Sequence, residues 1–181
     1  MTQPESLIAF KRSTHVFYTA YILSGYGMSE WAINLENREE YNPDGLFQIG
    51  RGRDDDRNRI AISEMRNGDV VNGLRAFGGF SQIIALGFIT WTYSLWEGTY
   101  RAKIASEIGA NVNDVMCDVM GDIRTIRNWI AHNNAIADDA SKIKTLPYPI
   151  EKGPMVFTID RIHELQDFIN KMEIHIQQEP A

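Results

Sequence analysis

The sequence predicts an all-α protein, an antiparallel helical bundle with one irregular insertion rich in glycine and charge. Three observations support this: apolar residues recur at helical spacing, capping residues stand at the ends of those stretches, and one glycine- and charge-rich stretch interrupts them. The chain has 181 residues, 44% of them hydrophobic, which is enough for a core of its own. We therefore expect a single helical domain over residues 1–181.

The first helix is predicted to run from Glu5 to Glu40, where the turn-forming sequence Asn-Pro-Asp-Gly at 42–45 ends it. The insertion occupies about residues 42–79. Within it, a short helix over Arg57 to Arg66, closed by Asn-Gly at 67–68, is one interpretation.

The helical pattern is clearer in the second half of the chain. Ser81 is placed to cap a long helix that runs to Ile108, with Gly109 in the position that favours a left-handed backbone. Asn111 or Asn113 can cap the next helix, which continues through residue 133. Thr158 can cap a last helix over residues 160–177, whose apolar stripe is Ile162, Leu165, Phe168, Ile169, Met172 and Ile176.

Composition excludes several classes of protein. Eighteen Lys and Arg against 24 Asp and Glu give a net charge of −6, which argues against general polyanion binding. The single cysteine, Cys117, cannot form an internal disulfide, and no Cys/His cluster suggests zinc. Phosphate-loop, dinucleotide-binding and nucleophile-elbow motifs are absent from the sequence. We expect no metal and no cofactor.

Two uncharged stretches could be mistaken for membrane or targeting segments. The stretch from Ala76 to Trp96 is long enough to span a bilayer, but glycine, serine, threonine and glutamine interrupt it. The stretch from Ser13 to Ser29 contains too many hydroxyl-bearing residues for a signal peptide. The sequence therefore predicts a cytoplasmic protein with no membrane association.

The segment from 115 to 134 separates into two faces when it is placed on a helical wheel. The apolar face carries Val115, Val119, Ile123, Ile126, Trp129 and Ile130. The opposite face carries Arg124, Asn128 and His132 at i, i+4 and i+8, with Arg127 at its edge. Imidazole can move protons near neutral pH, and guanidinium binds phosphate oxygens, so these residue types suit phosphodiester cleavage. The alternative is an ordinary solvated face, on which Asp118 and Asp122 pair with the arginines.

The run Arg127-Asn-Trp-Ile-Ala-His132 resembles the Arg-x(4–6)-His motif of the HEPN superfamily in its Arg-Asn-x-x-x-His form. The aromatic-rich helix before it and the amphipathic helix after it are similar to that family's arrangement over residues 80–176. The resemblance implies a metal-independent endoribonuclease that acts on RNA as a homodimer. It further implies that Arg127 and His132 are the catalytic pair and that Asn128 assists them.

The same resemblance implies a toxin–antitoxin or phage-defence setting, with an antitoxin or regulatory protein as a possible partner. Some toxins of this superfamily carry a tyrosine two positions after the motif histidine, whereas this chain has Asn134. Regulation by modification of that tyrosine is therefore not expected here.

Auxiliary substrate-binding candidates are Arg124, Asn133 and Glu97, the last of which could orient Arg127 or Arg124. Glu97 could instead form an exposed i,i+4 pair with Arg101. The aromatic residues Trp91, Tyr93, Trp96 and Tyr100 could stack on bases, or they could belong to the core or to a dimer interface. At the level of function, the alternative to a ribonuclease is a non-catalytic helical module that binds RNA, a nucleotide or a protein.

Overall fold

The structure, a computed structural model, describes residues 3–51, 60–75, 78–146 and 152–177. These residues are mostly helical, which confirms the predominantly α class. The helices are α1 (Glu5–Glu36), α2 (Asn67–Leu74), α3 (Gly79–Leu95), α4 (Arg101–Ile108), α5 (Asp118–His132) and α6 (Ile159–Lys171). A single π-helical turn, Trp96–Tyr100, connects α3 to α4.

The strands are short and all pair in antiparallel fashion. They are β1 (Leu46–Arg51), β2 (Ile60–Arg66), β3 (Val115–Met116), β4 (Ile136–Ala137), β5 (Gly153–Pro154) and β6 (His175–Ile176). Strand β1 pairs with β2, β3 with β6, and β4 with β5. Because β6 pairs with β3, the last helix ends at Lys171 and not at residue 177, and Ile176 is half exposed instead of packing in the predicted stripe.

The chain divides into two compact units. One comprises the residues up to Ile22 and those from Ile83 onward, and the other comprises Leu23–Gln82. The insertion predicted at 42–79 falls within the second unit.

The second unit contains an antiparallel hairpin where the sequence had suggested a short helix. Residues 60–66 form β2, so the predicted helix over 57–66 is wrong there, and residues 57–59 lie outside the described part. The physical reason is that β2 pairs along its length with β1, and Met65 and Phe47 pack on the small core of this unit. Asn67 and Gly68 begin α2 and do not close a preceding helix. That core consists of Ala32, Leu35, Val70, Val71 and Leu74.

The first unit has a larger core that draws on every helix within it. Its most deeply buried large side chains are Leu7, Phe10, Ile89, Ile104, Val115, Ile123, Ile126, Phe157, Ile162, Leu165 and Ile169. Three of the predicted stripe residues on α6 are fully buried in this set, and Met172 is buried beside them. The helix that carries the candidate site is therefore packed on its apolar face along most of its length.

The predicted helix ends are partly confirmed. Gly109 has φ +68° after α4, and Thr158 Oγ1 accepts a 3.2 Å hydrogen bond from the Arg161 amide at the start of α6. Ser81 does not cap α3, because the helix already begins at Gly79 and the serine hydroxyl donates to the Gly78 carbonyl. Asn111 caps a short 3₁₀ turn, Val112–Asp114, instead of α5.

No single helix in the described ranges is long and apolar enough to cross a membrane, although α2 and the helical run from Gly79 to Ile108 satisfy length and composition when taken together as a bent pair.

Candidate functional site

Helix α5 presents the two faces that the sequence predicted. Val119, Ile123, Ile126 and Trp129 are buried, and Ile130 is partly buried against the same core. Val115 is also buried, but it lies in β3, because α5 begins only at Asp118. The buried face fixes the rotation of the helix, so the opposite face is held toward solvent.

The polar row lies on that opposite face. Arg124, Asn128 and His132 are all exposed, and His132 is the last residue of α5. Residues eight apart in an α-helix are separated by about 12 Å along its axis. Within the described part of the chain, neither the His132 ring nor the Arg124 guanidinium has a hydrogen-bonded partner. Both groups are therefore available to a ligand.

The backbone reverses direction directly after His132. Asn134 and Ala135 have φ values of 50° and 59°, which are uncommon for residues other than glycine. The amides of Asn133 and Ala135 both donate 3.0 Å hydrogen bonds to the Trp129 carbonyl. This turn ends α5 and leaves His132 at its carboxyl end.

Arg127 is held by its neighbours. Its Nη1 donates a 3.1 Å hydrogen bond to Oδ1 of Asn128, and its Cζ lies 6.0 Å from the centre of the Tyr93 ring. Its Nε is buried, and no described atom accepts a hydrogen bond from it. The guanidinium thus stands between an aromatic ring on α3 and the exposed polar row.

Tyr93 lies in a strongly charged neighbourhood. Burial raises the pKa of its phenol, and the carboxylate of Glu97 raises it further, whereas Arg124, Arg101 and Arg127 act in the opposite direction. The net increase keeps the phenol protonated at neutral pH. The sequence alone predicts for Tyr93 a stacking, core or dimer-interface role, because the approach of three guanidinium groups depends on the tertiary fold.

Glu97 binds Arg101, which is the alternative that the sequence left open. Its two carboxylate oxygens accept hydrogen bonds of 3.1 and 3.2 Å from Arg101 Nη1. Arg101 also donates to the carbonyls of Val115 and Asn113. Glu97 accepts no hydrogen bond from Arg127 or Arg124 in the structure, and its contacts instead fix Arg101 against the segment that precedes α5.

The remaining aromatic residues of this region belong mainly to the core. Trp96 is buried and meets the Phe10 ring edge to face, and Phe10 also contacts Tyr100. Trp91 stacks on Phe17. Trp96 and Tyr100 therefore match the core interpretation, whereas Trp91 pairs with a partly exposed ring.

An open groove lies beside His132 at the carboxyl end of α5. Its lining includes Asn128, Trp129, His132, Asn133, Asp138 and Lys142. In this groove, Oδ1 of Asp138 accepts a 2.7 Å hydrogen bond from the Trp129 indole and a 3.2 Å bond from Lys142 Nζ. These contacts lower the pKa of Asp138, chiefly through Lys142 and then through Trp129. Asp138 is therefore a carboxylate at neutral pH.

Asp138 and Lys142 were not recognised as site residues from the sequence. Both lie in the polar segment that follows α5. Their i,i+4 spacing, which allows an ion pair, is the one sequence signal that could have indicated them. Asn133, which was recognised, lines the groove and donates from Nδ2 to the Ile136 carbonyl at 2.6 Å.

Asp122 does not form the surface ion pair that its position in the sequence suggests. Its side chain is only 4% exposed and accepts backbone hydrogen bonds from Lys144, Thr145 and Leu146 at 2.7–3.2 Å. The interpretation of Asp122 as an exposed partner of the arginines is therefore wrong, because its oxygens are occupied by the loop.

Other chemistry-bearing residues are not members of the polar row of α5. Cys117 is buried, and burial raises the pKa of its thiol. Nδ1 of His163 and the Tyr18 hydroxyl form a hydrogen bond. The acidic run at 54–56 lies outside the described residues. In the described ranges, no group of three or more His, Cys, Asp or Glu side chains is arranged to hold a metal ion.

Comparison of the chain with protein-family models, with curated proteins and with solved structures finds no match.

Proposed function

We propose that this protein is a HEPN-like, metal-independent endoribonuclease whose active site is the polar row of α5. The observation that carries the proposal is the arrangement on this one helix. His132 is exposed and unpartnered among the described residues, while Arg127 is fixed by Tyr93 and Asn128. An exposed imidazole can transfer protons and a positioned guanidinium can stabilise the charge on phosphate oxygens, and metal-independent cleavage of RNA uses both contributions.

The reaction is an internal transfer at phosphorus. The RNA 2′-hydroxyl attacks the adjacent phosphate and gives up its proton, the bond from phosphorus to the 5′-oxygen breaks, and that oxygen takes up a proton. The products are a cyclic phosphate and a 5′-hydroxyl. His132 handles the protons, Arg127 stabilises the charge that builds on the pentavalent phosphorane, and the Asn128 amide orients Arg127 through their hydrogen bond.

A homodimer supplies what one copy lacks. Each copy offers one imidazole in the row, whereas the reaction needs a base for the attacking hydroxyl and an acid for the leaving oxygen. A twofold axis beside α5 would bring two rows together, so that one His132 serves each purpose. We place the protein in the cytoplasm, in a toxin–antitoxin or phage-defence role, with an antitoxin or regulatory protein as its partner.

The decisive experiment is cleavage of a mixed-sequence RNA by the purified protein in excess EDTA. Wild type is compared with His132→Ala, with Arg127→Ala and with His175→Ala, a control that removes an exposed histidine from β6. Cyclic-phosphate ends from wild type and the control alone are the expected result. If neither the wild type nor any variant cleaves the RNA, but all of them bind it equally well, the protein is a non-catalytic binding module.

The oligomeric state is the second test. Sedimentation at micromolar concentration is expected to show a dimer. A strictly monomeric protein that still cleaves would overturn the shared-site arrangement and would leave a single His132 to serve both proton transfers.

A further inference from the structure

The groove beside His132 has hydrogen-bonding groups that the fold leaves unused. Asp138 Oδ2 receives only a 3.4 Å contact from Lys142. Asn133 uses its amide nitrogen on the Ile136 carbonyl, and among the described residues its carbonyl oxygen has no donor. The side-chain oxygen of Asn128 accepts a hydrogen bond from Arg127, and its amide nitrogen has no acceptor among the described residues. The groove therefore offers both acceptors and donors at one end of the proposed active site.

The charges of the groove favour a neutral ligand over a phosphate. The ammonium of Lys142 is paired with the carboxylate of Asp138. A phosphate placed there would meet that carboxylate, and like charges at close range repel. A neutral planar group with polar edges, such as a nucleobase, meets no such penalty. Amide and carboxylate side chains are among the groups that read base edges in protein–nucleic acid complexes.

The Asp138 carboxylate further restricts which base fits. An ionised carboxylate accepts hydrogen bonds and cannot donate them. Adenine, cytosine and guanine each present an exocyclic amino group, whereas the one donor on the pairing edge of uracil, its N3–H, lies between two carbonyl oxygens. A carboxylate that approaches the uracil N3–H also meets these two oxygens, and their partial negative charge weakens the contact.

We propose that this groove binds the nucleobase next to the scissile phosphate, and that Asp138 selects bases with an exocyclic amino group over uracil. This inference rests on the proposed function, because it takes the substrate to be RNA cleaved at His132. It adds a specificity-determining residue that lies outside α5.

The position of the Asp138 carboxylate is fixed from within the protein. The indole that binds it belongs to Trp129, which is 4% exposed and packed in the core of the first unit. A buried donor holds the carboxylate in one place before any base arrives, so little side-chain entropy is lost on binding. The same indole N–H is a spectroscopic reporter on the groove.

The first experiment maps the ends produced from a random-sequence RNA. Wild type is compared with Asp138→Asn and with Asp139→Asn, which alters the neighbouring exposed aspartate outside the groove. Wild type and the Asp139 variant are expected to disfavour uracil by about tenfold at one flanking position. The Asp138 variant is expected to lose this discrimination, since an amide can also donate to a carbonyl.

The second experiment does not depend on cleavage. Short 2′-O-methyl oligocytidine and oligouridine, which lack the attacking hydroxyl, are titrated while the Trp129 indole N–H resonance is followed, with Trp129→Phe to assign it. Oligocytidine should shift the wild-type resonance, oligouridine should not, and Asp138→Asn should abolish the difference.

The two experiments separate this inference from the proposed function. Cleavage without base preference, together with a Trp129 resonance that responds to neither oligomer, overturns the base subsite and leaves the ribonuclease intact. Selective binding of oligocytidine without any cleavage of RNA supports the subsite and overturns the ribonuclease. Equal responses to both oligomers contradict the role of Asp138.

Discussion

The guanidinium carbon of Arg127 lies 6.0 Å from the centre of the Tyr93 ring, and this contact ties the proposed phosphate-binding group of α5 to α3. Arg127 is otherwise held by one hydrogen bond to Asn128, and its buried Nε has no partner in the described ranges. An aromatic face stabilises a cation at this distance, and it also limits the rotamers that a long side chain can adopt. Tyr93 is therefore a positioning residue for Arg127.

Two substitutions of Tyr93 distinguish the contribution of its ring from that of its hydroxyl. Tyr93→Leu should lower kcat for RNA cleavage by about fivefold with KM unchanged, because the ring contact is lost. Tyr93→Phe keeps the ring and should stay within about twofold of wild type. Steady-state kinetics on a defined RNA, with the exposed Tyr26→Leu as control, make the comparison. A phenylalanine variant as slow as the leucine variant would show that the hydroxyl, and not the ring, is what matters.

The stability of a His132→Ala variant tests whether the residue is structural. His132 is exposed and has no described partner, so its removal should change the free energy of unfolding by less than about 0.5 kcal/mol. Ile126→Ala, on the buried face of the same helix, should cost about 2–5 kcal/mol. Urea denaturation of both variants gives the comparison. A loss above about 1 kcal/mol for His132→Ala would assign the side chain a packing role.

The faces of α5 could be predicted because one helix sets them. Val119, Ile123 and Ile126 repeat at three- and four-residue spacing, which by itself places Arg124 and His132 on the other side. No tertiary contact is needed for that inference. The caps at Gly109 and Thr158 are local in the same sense and could likewise be predicted.

Elements that depend on distant partners could not be predicted. Strand β2 owes its conformation to pairing with β1, and β6 to pairing with β3 across about sixty residues of sequence. The π-helical turn at Trp96–Tyr100 contains Gly98, but one glycine within a helical stretch does not by itself indicate such a turn. The groove beside His132 could not be predicted from the sequence for the same reason. Trp129 and Asp138 come into contact only because the chain reverses direction after His132.

Asp122 shows the limit of helical-wheel reasoning most directly. Its position relative to Arg124 suggested a surface pair, but its carboxylate lies in the interior and caps the loop at Lys144–Leu146. A helical wheel gives the direction in which a side chain points, but it does not show which other segments of the chain pack on that side. Only the returning chain, which supplies three backbone amides, makes burial of this charge favourable.

Removing the Asp122 carboxylate should therefore destabilise the protein strongly. Asp122→Ala leaves three amide groups, one of them in a fully buried hydrogen bond, without an acceptor. Each amide left without an acceptor costs about 1 kcal/mol or more, so the free energy of unfolding should fall by about 3 kcal/mol. Asp118→Ala, at an exposed site on the same helix, is the matched control and should change it little. Equal stability of the two variants would contradict the capping role.

The pH dependence of stability should report on Asp138. Its pKa in the folded protein is lowered by the hydrogen bonds from Lys142 and then from Trp129, below the value of about 3.9 for an unfolded aspartate. A lowered pKa means that the folded state favours the charged form. The contribution to stability is therefore complete well above pH 4 and is lost as the pH falls through the lowered folded value.

Wild type and Asp138→Asn should accordingly differ most near neutral pH and converge in acid, because a protonated aspartic acid resembles the amide. Urea denaturation across this range measures the difference in unfolding free energy, and the Trp129 indole resonance should move over the same interval as its acceptor loses charge. A stability difference that stays constant while Asp138 is titrated would show that the Lys142 and Trp129 contacts do not distinguish its charged form. In that case the carboxylate would not be held as the base-binding groove requires.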